Sequence, residues 1–124
     1  QSVVTGGGSA YLAMAVYLRN HAATTGGRAQ MAIEAFAAAL EAIPATIAEN
    51  AGHDPLDTVL GMRHEVQGGN FFSGPDVASG NIISMLDNGV FEPTDLVRQA
   101  VLGATEVTTS ILRIDDIVSR KQIE

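Results

Sequence analysis

Val3-Val4-Thr5-Gly6-Gly7-Gly8 at one end of the chain and Asn88-Gly89-Val90-Phe91-Glu92-Pro93 towards the other read as two halves of one nucleotide pocket. Three successive glycines carry no Cβ, so their backbone can lie against a flat ring or a sugar and take φ values closed to other residues. The carboxylate of Glu92, fixed by Pro93 behind it, is an acceptor suited to ribose hydroxyls. Each signal also has a plainer reading. Glycine clusters are commonly turns, and an acid just ahead of a helix commonly serves the helix dipole. The Gly-x-Gly-x-x-Gly spacing of dinucleotide folds is missing, as is a Gly-Lys-Ser/Thr phosphate loop.

The segments between the two stretches are mostly helical in pattern. Tyr11, Met14, Ala15 and Leu18 recur at i, i+3, i+4 and i+7, with Leu12 and Val16 on a neighbouring face, and predict a helix from Ser9 to about His21. Gly26-Gly27 breaks it. A second helix is expected from about Arg28 to Ile43, with Ile33, Phe36, Ala37 and Leu40 as its core stripe, kinked or restarted at Pro44 and closed near Gly52. Asp54-Pro55 supplies an N-cap followed by proline for a third helix to about Gln67. Gly68-Gly69 and Gly74-Pro75 bracket Phe71-Phe72, so a short β-hairpin is expected near 71–78. Asn81 to Asn88 reads as a short helix. After Pro93 a long helix carries Val97, Ala100, Val101, Ala104, Val107, Thr108 and Ile111, with a possible strand from Ile111 to Ile114 and a polar tail beyond. The fold class is therefore all-α.

Composition narrows the partners. At 124 residues the chain matches one domain or a large piece of one. Apolar residues make up 46% of it but aromatics only 5%, which favours closely packed, alanine-rich helices. The 7 basic and 14 acidic side chains leave a net charge of −7, so a nucleic-acid backbone is repelled. There is no cysteine, hence no disulfide or thiolate metal site. No apolar run reaches the roughly 18 residues of a membrane span, and a cytoplasmic protein is expected. The chain opens on Gln1, five residues ahead of the glycine motif, which suggests a piece of something longer.

The order of the motifs resembles the group II chaperonins, the thermosome and its eukaryotic cytosolic relatives. The resemblance runs through the triple glycine, Gly26-Gly27-Arg28 opening the helix that carries Ala32 to Ala37, Ala42-Ile43-Pro44 and Ala48-Glu49-Asn50-Ala51-Gly52. It continues with Gly74-Pro75-Asp76-Val77, Gly89-Val90-Phe91-Glu92-Pro93, Ala104-Thr105-Glu106 and Ile111-Leu112-Arg113-Ile114-Asp115-Asp116. It implies that residues 1–124 are the C-terminal half of an equatorial domain, the helical layer that holds ATP and makes ring contacts. By that resemblance Gly6, Gly7 and Gly8 lie against the sugar and base, Asp76, Val77 and Ala78 line the adenine side, and Glu92 accepts from the ribose. The phosphate loop, the aspartate that holds magnesium and the aspartate that activates water belong to other parts of such subunits. An ATPase with ATP or ADP and Mg is thus implied for the complete subunit, with other chaperonin subunits in a double ring and unfolded polypeptides as partners.

Two positions depart from the family pattern: Tyr11 stands where a glutamate is usual, and Val97 where a lysine is usual. Thr108-Thr109-Ser110 also replaces a more apolar stretch. The alternative reading is a helical assembly module of the same architecture that does not turn over nucleotide. Asp76 has a plain reading as a turn residue bonding its own backbone. Asp115-Asp116 reads as solvated charge rather than a metal pair, and His21, His53 and His64 as residues without a functional role.

Overall fold

The computed structural model describes residues 2–123, with side chains described throughout except at 107, 111 and 114–123. In chain order the elements are β1 (Val3–Thr5), α1 (Ser9–Ala22), α2 (Gly27–Asn50), α3 (Pro55–Gln67), β2 (Ser73–Pro75), β3 (Ile82–Ser84), β4 (Phe91–Pro93) and α4 (Thr94–Ile123). Two antiparallel two-stranded ladders, β1 with β4 and β2 with β3, sit on this helical layer.

α1 is buried on two faces, as its double stripe requires. Tyr11 and Ala15 join Ala37, Leu40 and Ala104 in one cluster, with Met14, Leu18, Phe36, Val97 and Val101 packed against it. Leu12 and Val16 turn the other way, towards Val59, Met62 and Val66 of α3. α2 is the central element and packs against α1, α3 and α4. Fully burying a side chain such as Leu12, Leu40 or Met62 contributes roughly 1.5–3 kcal/mol. α3 begins as its sequence dictates: Asp54 Oδ1 accepts from the amides of Leu56 at 2.9 Å and Asp57 at 3.0 Å, and Pro55 opens the first turn.

Five expectations are corrected. α2 runs without restarting through Pro44, which is fully buried within it. The same α2 is 24 residues long with a mean hydropathy of 1.5 in its most apolar window, so one helix does reach the length and apolarity of a membrane span. Its packing against three other helices and the ion pairs of its Glu41 mark it as a core helix instead. Residues 81–88 are not helical: the β-branched pair Ile82-Ile83 forms β3, with Ile83 opposite Gly74 and Ile82 opposite Pro75. The hairpin therefore spans Ser73 to Ser84 rather than 71–78. Finally, Ile111 to Ile114 belongs to α4, because no glycine or proline after Gly103 interrupts the helix.

Candidate functional site

The two diagnostic stretches meet. β1 and β4 pair in antiparallel register, with Val4 opposite Glu92, Val3 opposite Pro93 and Thr5 opposite Phe91. The ladder continues into the glycines, where the Gly6 amide donates to the Val90 carbonyl at 2.8 Å. Gly7 at φ 66° and Gly8 at φ 81° then turn the chain into α1. Ser9 locks that turn, its buried hydroxyl bonding Thr5 Oγ1 at 2.7 Å and the Gly6 carbonyl at 2.8 Å.

The missing Cβ atoms have a structural use. A Cβ on Gly8 would stand 2.5 Å from Pro44 Cβ, one on Gly7 would stand 2.5 Å from Met85 Sδ, and one on Gly6 would meet Val90 Cγ1 at 3.1 Å. The turn is therefore seated on α2 and on Met85. Gly74 of β2 reaches the same place, since its Cβ position lies 2.8 Å from Met85 Cγ and 3.3 Å from the Gly7 carbonyl. Met85, 1% exposed, is the plug between the glycine turn and the β2–β3 hairpin.

Glu92 is turned inward rather than towards the start of α4, whose first-turn acid is Asp95. Its Oε1 is buried and has no hydrogen-bond partner. Tyr11, 4% exposed, lies near enough for the Glu92 carboxylate to act on its phenol. Burial pushes the Tyr11 phenol above its ordinary range, and the Glu92 carboxylate pushes the same way. An unpaired buried carboxylate oxygen is costly.

Tyr11 belongs to an apolar cluster against which Val97 packs.

Asp76, Val77 and Ala78 form the turn that follows β2. Both carboxylate oxygens of Asp76 are used locally, Oδ1 by the Ala78 amide at 3.2 Å and Oδ2 by the Ser79 hydroxyl at 2.8 Å. This is the plain turn reading of Asp76, while Val77 is 58% exposed. His53 pins the turn, with Nε2 at 2.9 Å from the Val77 carbonyl and its ring against Gly80. His53 thus has a packing role that its isolated place in the sequence did not signal.

Glu41 is the other residue missed. It is 5% exposed on α2 and joins Arg19 of α1 and Arg63 of α3, the Arg19 Nε contact being 3.0 Å. The only hint was one acid set in an alanine-rich stripe. Asp115 and Asp116 lie outside the described side chains. The threonines of α4 satisfy themselves: the hydroxyls of Thr105, Thr108 and Thr109 donate to carbonyls one turn back, Val101, Ala104 and Thr105 respectively, at 2.8–2.9 Å.

A model of the TCP-1/cpn60 chaperonin family matches residues 1–122. The chain belongs to that family. It is 47% identical over 117 residues to a thermosome subunit alpha of Halobacterium salinarum, covering 94% of this chain and 21% of that one. It is also 46% identical over 122 residues to a thermosome subunit beta of Archaeoglobus fulgidus, covering 98% and 22%. Among solved structures, an open-state monomer of a group II chaperonin from Methanococcoides burtonii superposes with a TM-score of 0.78 at 42% identity, covering 90% of this chain and 28% of that one. A group III chaperonin in the open state gives 0.76 at 32% identity, covering 90% and 23%. The fold is that of a chaperonin equatorial helical layer. The chain spans about a fifth of the length of the curated relatives it matches.

Proposed function

We propose that this chain is the C-terminal part of the equatorial domain of an ATP-dependent protein-folding chaperonin subunit, and that it holds the nucleoside. The observation supporting this reading is the β1–β4 register, which brings Glu92, opposite Val4, next to the glycine turn; its buried Oε1 has no protein partner, and a ribose hydroxyl is expected to supply one. The glycine turn provides bare backbone beside it, and the Asp76–Ala78 turn serves the adenine side. Other segments of the complete subunit supply the phosphate contacts, magnesium and water activation. The partners are further chaperonin subunits in a double ring and unfolded polypeptides, in the cytoplasm, with no role for nucleic acid.

Titration calorimetry of the complete subunit with ATP and magnesium tests the reading. Glu92→Ala is expected to weaken ATP binding by about tenfold or more, since a hydrogen bond to a charged group is worth roughly 1.5–3 kcal/mol. Unchanged affinity contradicts it. The isolated chain is expected to release no phosphate from ATP, and steady release above a Glu92→Ala control contradicts that.

A second reading has its own support. The Cβ positions of all three glycines are backed by protein atoms and both oxygens of Asp76 are locally bonded, as in a helical assembly module that does not turn over nucleotide. Tight binding with hydrolysis by the complete subunit removes it.

A further inference from the structure

The turn between α3 and β2 leaves two adjacent phenylalanines in the open. Phe71 is 55% and Phe72 47% exposed, although a phenyl ring carries a large apolar area that folding normally hides. Both line a cavity of 290 Å³ together with Glu65, Asn70, Ser84 and Asp87. Among the described residues lining it there is no lysine or arginine, so two carboxylates and two rings share one small space. Its frame is fixed by local bonds. Asn70 Nδ2 donates to Glu65 Oε2 at 2.6 Å, the Ser73 hydroxyl to the Asn70 carbonyl at 3.0 Å and the Asp87 amide to Ser84 Oγ at 3.1 Å. The Met85 amide holds the Phe72 carbonyl at 2.7 Å. The same two rings also line an apolar groove of 440 Å³ with Val3, Ala13, Leu86 and Phe91.

We propose that this surface docks a neighbouring subunit, the acidic and aromatic cavity taking an arginine side chain and the groove beside it an apolar residue of the same segment. This rests on the ring reading under the proposed function and adds to it the surface and the chemistry used. Charge complementarity selects the guest, since the cavity holds acids without a cation and the chain as a whole carries −7. Size limits it. A cavity at the lower edge of the roughly 300–1,000 Å³ that drug-sized ligands fill suits a single side chain. A guanidinium stacks on aromatic faces, forks to carboxylates and is more weakly hydrated than an ammonium, so arginine leaves water for such a site more readily than lysine. Aromatic residues and arginine are also the types enriched in protein interfaces.

The test uses the complete subunit in its assembled form, with p-azidophenylalanine in place of Phe71. Irradiation is expected to give covalent subunit dimers on denaturing gels, with the link on a peptide that carries an arginine. Asp87→Asn is exposed and keeps the backbone bond to Ser84. It is expected to cut the yield of linked dimer about threefold, and Asp87→Glu to restore it. A second readout needs no substituted phenylalanine: by sedimentation, Asp87→Asn is expected to weaken subunit association about threefold at low salt, a difference that fades at high salt.

An assembled ring that gives no link, links confined to one subunit or links to peptides without arginine overturn the docking site while leaving the nucleoside site standing. Asp87→Asn yields and association equal to those of the unmodified subunit do the same. A complete subunit that binds ATP but stays monomeric overturns the ring reading, and this inference with it.

Discussion

Gly8 shows how much a single residue decides here. At φ 81° it occupies a conformation closed to most side chains, and its Cβ position is already filled by Pro44. Gly8→Ala is therefore expected to cost about 2 kcal/mol or more in urea unfolding. Gly52→Ala, at φ 86° just beyond the end of α2 but with nothing within 4 Å, is expected to cost only about 1 kcal/mol. Equal costs contradict the seating of the turn on α2. Tyr11 makes a prediction of its own through pH. Its phenol is raised above the ordinary value of 10 in the folded chain, so its stabilising share is complete below that value and is lost as pH rises towards the folded value. Urea midpoints between about pH 8 and 11 are expected to fall more steeply in the unmodified chain than in Tyr11→Phe; parallel profiles contradict the burial of this phenol against Glu92. The meeting of Gly6 with Val90 was legible in the sequence because glycine runs and Glu-Pro are local signals. The Tyr11–Glu92 contact was not, since it depends on how α1 lies against β4, and Tyr11 read as a core residue. His53 was read as idle for the same reason: its partner, the Val77 carbonyl, is supplied by tertiary packing.

Among the elements, α1, α2 and α3 were legible because their stripes repeat every three or four residues and their ends carry strong markers such as Gly26-Gly27 and Asp54-Pro55. The failures have one cause, the overriding of a local pattern by what lies beside it. Ile82-Ile83 forms a strand because Gly74 and Pro75 offer a ladder, and Pro44 stays in a helix because Gly8 and the surrounding core pack against it. Glu41 ties three elements together, its side chain 6% exposed between two arginines about one third exposed. Removing it leaves cations that can return to water, so Glu41→Ala is expected to cost about 2 kcal/mol, below the roughly 3–5 kcal/mol of a fully buried pair. Chemical unfolding of Glu41→Ala against Arg19→Ala and Arg63→Ala measures this. An unchanged Glu41→Ala midpoint contradicts the clamp.

For the whole molecule, the apolar surface is large for so small a domain. Tyr17, Leu56, Phe71, Phe72, Phe91 and Leu102 are all exposed, and an open groove of 590 Å³ runs along Met14, Tyr17, Leu18, Phe36 and Val101. Uncovered apolar area beyond a few hundred Å² favours association. The isolated chain is therefore expected to sediment as dimers or larger species at micromolar concentration, and a monomeric profile contradicts this. The central claim, that the glycine turn and Glu92 grip one sugar, is tested most directly by an experimental structure of the complete subunit with ADP bound. The account predicts a ribose hydroxyl within about 3.2 Å of a Glu92 carboxylate oxygen, with the Gly6–Gly8 backbone against the nucleoside. A nucleotide seated away from the β1–β4 ladder, with Glu92 Oε1 still unpartnered, contradicts it.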